Sequence, residues 1–192
     1  MSERATERFD AASVSGGVVT GVLAYAVGYV LTYLWQADAV RDSLEAYNAI
    51  VEFLGGDPVP AWTAVGWLYY NAHNVAVTHP ALGGGRVSRN FIADGNAPVL
   101  LYLLPPLLLA VAGFAVARRA GAATASDGAR AGGTVAAGYV LLAVVGLVAF
   151  RYSAGGATMH VDYALGVLLA GLLYPLGFGA LGGALGAATA AS

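Results

Sequence analysis

The sequence predicts an all-α integral membrane protein. Four transmembrane helices form two hairpins, with an exposed helical insertion between helices 1 and 2. Three observations lead there. The chain of 192 residues is 58% hydrophobic and only 10% charged, where soluble domains carry about 25% charged residues. Its mean hydropathy is +0.69. Its longest uncharged apolar runs each reach the roughly 20 residues that a helix needs to cross about 30 Å of hydrocarbon.

The first 13 residues, "MSERATERFDAAS", form a polar tail with two Arg and three acids. The run after them is too long for a signal peptide and lacks a clean small-residue cleavage site, so it reads as retained. The spans fall at about 14–35, 98–117, 132–150 and 163–187, within one transmembrane helical domain over 14–192. The external insertion is 36–97. Its first part, "DAVRDSLEAYNAIVEFLGG", repeats Val40, Leu44, Tyr47, Val51 and Leu54 at steps of three and four, which is an amphipathic helix stopped by Gly55–Gly56. The other face carries Asp38, Asp42, Glu45 and Glu52. "GDPVP" is a turn and "PALGGGRVSRNFIADGNAP" a glycine-rich loop without Walker spacing.

The stretch "VGWLYYNAHNVAVTHP" decides the side of every later loop. Between Pro60 and His79 only Val65, Leu68, Val75 and Val77 are strongly apolar, against eleven such residues in Pro98–Ala117. At about −0.3 to −0.6 kcal/mol each, the first set supplies roughly −2 kcal/mol and the second roughly −5. The weaker set also carries Asn71, His73 and Asn74, which are costly in hydrocarbon when unpaired. A helix over Trp62–Val77, lying in the interface or dipping partly into it, is therefore expected as an external cap formed by Trp62, Trp67, Tyr69 and His73. One stripe (Trp62, Gly66, Tyr69, His73, Val77) would sit on the bundle, and Trp67, Asn71 and Asn74 would meet headgroups or water. Arg118–Arg119 at a helix end belongs on the cytoplasmic side. This places the protein in the cell membrane with both termini cytoplasmic.

An internal echo accompanies the spans. "GYVL" recurs at Gly28–Leu31 and Gly138–Leu141, and aligning Pro106 with Pro175 also aligns Gly113 with Gly182. The echo is either a duplicated hairpin or coincidence among helices dominated by Leu, Gly and Ala. Pro105, Pro106 and Pro175 free backbone carbonyls and favour kinks.

Little chemistry is legible. No ionisable residue lies mid-span, which argues against proton relays and a bundle-core haem. There is no Cys and no catalytic constellation, so no enzyme activity, cofactor or metal is expected. His73, His79 and His160 with Met159, Asp162 and Asp57 could meet at an external metal, but their spacings match no motif. Tyr25, Tyr29 and Tyr33 recur at steps of four and, with Tyr174, make a candidate polar path. Inter-helix hydrogen bonding plus an aromatic belt at Tyr33 and Trp35 is the weightier reading of that stripe.

Through "GYVLTYLW", "LGGDPVP", "VGWLYYNAH", "LLPPLLL" and "YPLGFGALGG" the chain resembles an uncharacterised family of small multi-pass membrane proteins of halophilic archaea, sometimes loosely labelled transporters. The use of Arg alone among nine basic residues fits such genomes. The resemblance implies no binding or catalytic residue. The expected function is transporter-like or channel-like with an unknown substrate. The alternative is a non-transporting scaffold or accessory subunit that docks a partner through the insertion. Expected partners are the lipid bilayer and either further copies or a membrane complex. A net charge of −2 argues against nucleic acid.

Overall fold

The computed structural model describes residues 3–81, 85–154 and 156–190. It contains four helices long and apolar enough to cross a membrane, within Val14–Phe53, Val99–Ala120, Ala125–Ala149 and Tyr163–Ala188. Helix α1 runs unbroken from Glu3 to Phe53. The amphipathic helix expected as a separate element of the insertion is thus the far half of α1. No Gly or Pro interrupts the chain between Gly28 and Gly55. At the junction Arg41 donates from Nη1 to Asp38 at 2.5 Å and from Nη2 to the Tyr33 hydroxyl at 3.0 Å, both on the exposed surface. Gly55, at φ +78°, lets the helix stop as only glycine readily can.

Helix α2 covers Ala61–Asn71. It is too short to cross a bilayer, and the helix expected over Trp62–Val77 ends at its Asn71. Asn74 then takes a left-handed φ of 59° and turns the chain into strand β1, Val77–Pro80. Strand β2 is Arg86–Arg89. Residues 82–84 of the expected glycine-rich loop lie outside the described residues.

A 3-10 turn, Val99–Leu103, leads into α3, Leu104–Ala120. Helices α4 (Ala125–Gly133) and α5 (Val135–Ala149) follow nearly end to end. Strands β3 (Tyr152–Ala154) and β4 (Ala157–Val161) come next. The last helix opens as α6 (Tyr163–Leu165), continues as a π-helix over Gly166–Leu173 and ends as α7 (Tyr174–Ala188). Pro105, Pro106 and Pro175 all fall where the helix type changes, in the first turn of α3 or α7.

The purely helical insertion is corrected by a four-stranded antiparallel sheet, ordered β2-β1-β4-β3. Val77 pairs with Val161 across its centre, and both side chains are fully buried. The sheet joins the insertion to the loop between α5 and α6.

The helices pack through glycine. Gly17 and Gly21 of α1 rest on Thr134 and Val135, Gly128 and Gly132 of α4 rest on Gly183 and Gly179, and Gly138 of α5 rests on Val18. Between α3 and α7, Gly113 meets the Gly179 carbonyl and Gly182 meets the Ala110 carbonyl. The offset that aligns Pro106 with Pro175 carries Ala110 to Gly179 and Gly113 to Gly182, so it exchanges these two contacts. The Pro106–Pro175 part of the echo thus coincides with a local symmetry of the α3–α7 interface. Large apolar side chains turn outward instead, among them Leu107, Val111, Leu141, Val148, Leu181 and Leu185.

Candidate functional site

Helix α2 is buried on all sides from Thr63 to Asn71. This overturns the expectation that Trp67 and Asn71 meet headgroups or water. The physical reason is that their polar atoms find protein partners. The Trp67 indole donates to the Phe150 carbonyl at 2.7 Å. Asn71 accepts from the Phe91 amide at 2.9 Å and donates to the Val75 carbonyl at 2.8 Å. Among the described residues no buried side-chain polar atom lacks a partner, as a low-dielectric interior demands.

The end of α2 builds a knot of phenols around one imidazole. His73 Nδ1 lies 2.8 Å from the Tyr69 carbonyl. A carbonyl only accepts, so Nδ1 carries the proton and Nε2 is the acceptor. Tyr139 therefore donates to Nε2 at 2.8 Å. With its proton so used, Tyr139 accepts from the Tyr69 hydroxyl at 2.6 Å. The loop closes on itself, and every proton in it has one place. A second chain runs alongside, in which Tyr25 donates to Tyr70 at 3.3 Å and Tyr70 donates to the Ala143 carbonyl. The Tyr25 ring meets the Tyr69 and Tyr139 rings edge-on, each at 5.1 Å.

Burial holds His73 neutral, lowering its pKa from 6.5 to about 4. It also raises the Tyr69 and Tyr70 phenols. Neutral rings in closed hydrogen bonds suit a structural joint. They offer no free base and no free acid to a substrate.

The expected polar path divides. Only Tyr25 enters the knot. Tyr29 donates to the Trp62 carbonyl at 3.0 Å and stacks on Phe150 at 5.2 Å, while Trp62 itself is half exposed. Tyr33 accepts from Arg41. Tyr174 accepts from Asn74 at 2.6 Å, and its ring lies 5.2 Å from His73. Tyr139 was not singled out in the sequence, although it is the counterpart of Tyr29 in the repeated "GYVL". Of the other histidines, His160 stacks on Tyr163 at 4.6 Å and His79 sits on β1. The described residues hold no group of three potential metal ligands among His, Cys, Asp and Glu.

Beyond the knot, between the far half of α1 and α2, lies a cleft of about 410 Å³. Val40, Leu44, Trp67 and Leu68 make its apolar wall, and Gln36, Ser43, Asn96 and Arg89 its polar edge. No curated protein and no solved structure matches the chain. The model of a family of unknown function, DUF7978, matches residues 1–190, and the chain belongs to that family.

Proposed function

We propose that this is an integral membrane protein whose four long helices cross the bilayer as two hairpins, with both termini cytoplasmic. It works as a scaffold that docks a protein partner on its outer side. The outward Leu and Val side chains support the membrane reading, because apolar surface on that scale is costly in water and free in lipid. The transporter-like reading rests on the resemblance alone, and against it the hydroxyls of Tyr25, Tyr29, Tyr33 and Tyr174 are each hydrogen-bonded within the protein.

One observation carries the docking reading. Helix α1 continues past Trp35 to Phe53, about 27 Å at roughly 1.5 Å per residue. At its tip Ile50, Phe53 and Leu54 are 60%, 89% and 76% exposed. In the proposed orientation these three large apolar groups stand well beyond the apolar band, where lipid would not cover them, and this supports a protein partner at the tip.

The test is a Phe53→Asp, Leu54→Asp double variant extracted from its native membrane in mild detergent. Wild type is expected to elute in a complex larger than the double variant does. An unchanged elution size, or gradient-driven solute uptake by wild type in vesicles, overturns the reading.

A further inference from the structure

The cleft between α1 and α2 has a composition that the docking tip does not explain. Its wall is apolar and partly made of the buried core residues Val40, Trp67 and Leu68. Among the described residues that line it, Arg89 is the one charged group. The acids of α1, Asp38, Asp42 and Glu45, are not among its lining. Arg89 is half exposed, and its pairing with Asp94 is long, at 3.9 Å. Such a solvent-screened pair is weak, so the guanidinium is free to take an anion in the bidentate geometry that it favours. The cleft begins at Gln36, one residue beyond Trp35, where the exposed large apolar side chains of α1 break off until Tyr47.

We infer that this cleft binds one anionic phospholipid of the outer leaflet, with an acyl chain against Trp67 and Leu68 and the phosphate at Arg89. An apolar wall with a single cation at the rim matches an amphiphile of one negative head and a hydrocarbon tail. The position at the end of the apolar band lets such a molecule enter from the bilayer without crossing water. The inference rests on the membrane reading above and adds a ligand to it.

Trp67 lines the cleft and reports on it. The chain has three Trp, so a Trp35→Phe, Trp62→Phe variant leaves Trp67 alone, and a Trp62→Phe, Trp67→Phe variant leaves Trp35 alone. Each is placed in phosphatidylcholine vesicles in which a minor fraction carries brominated chains, either phosphatidylglycerol or phosphatidylcholine. Bromine quenches indole on contact. Trp67 should be quenched roughly two- to fivefold more by the anionic lipid, the range one screened charge contact supplies. Arg89→Gln should remove that preference, and Ser43→Phe, at an exposed cleft position, should block quenching by both lipids. Quenching of Trp67 that is absent, equal for the two lipids, or unchanged in Arg89→Gln overturns the inference. The Trp35-only protein separates the two readings. If both brominated lipids quench Trp35 and neither quenches Trp67, the membrane reading stands and the lipid site falls. If neither lipid quenches Trp35, the membrane reading itself fails.

Discussion

Valine in place of Gly182 is expected to prevent the bundle from assembling. A Cβ at this position would overlap the carbonyl of Ala110, on the facing backbone. Overpacking costs about 1–3 kcal/mol where side chains can move aside. Here only helix backbone faces the new group, so the loss should exceed about 3 kcal/mol, a large part of the roughly 5–15 kcal/mol that holds a domain together. Gly177 lies on the same helix with nothing near its Cβ position, and Gly177→Val should fold normally. Thermal unfolding in mild detergent, followed by near-UV circular dichroism, compares the two. Equal melting temperatures would show that α3 and α7 do not meet through Gly182.

Removing one oxygen from the knot should come second in size. Tyr139→Phe leaves His73 Nε2 without a donor and Tyr69 without an acceptor, both fully buried. Each orphaned group costs about 1–3 kcal/mol, so a destabilisation of roughly 2–5 kcal/mol is expected. Tyr69→Phe leaves the Tyr139–His73 bond intact and should cost clearly less. Acid acts on the same joint. His73 has its pKa lowered to about 4 in the fold against 6.5 when free, so below pH 6.5 the unfolded chain binds the extra proton first. Its contribution is complete above pH 6.5, declines as the pH falls from 6.5 toward 4, and levels off below. A His73→Gln variant should lack that slope. Equal melting of Tyr139→Phe and wild type across this range would mean that the loop does not hold α2 in place.

How much of this was written in the sequence depends on the distance over which each feature is specified. The four long helices are local, since each is an apolar run, and they were legible. The matching Pro and Gly of α3 and α7 were visible as an echo, but that these two helices face each other through those glycines was not. The far half of α1 was read as helical, but its continuity with the first helix was missed. The composition changes at Trp35 while the backbone has no reason to break. The sheet was missed because its strands are three to five residues long and carry no sustained alternation. They exist because β1 and β4 meet across more than 70 residues of chain. Helix α2 was misjudged for a related reason. Asn71, His73 and Trp67 look too polar to bury until Phe91, Tyr139 and Phe150 supply their partners, and no local pattern announces those partners.

The central claim, four crossings with α2 and the sheet held on the outer side, is tested most directly by sidedness. The chain has no native Cys, so single cysteines at Ser88 on β2 and Ser126 on α4, both exposed, can be labelled with a membrane-impermeant maleimide in intact cells and again after lysis. Ser88→Cys should react in intact cells and Ser126→Cys only after lysis. Labelling of both positions from the same side would contradict the four-crossing arrangement.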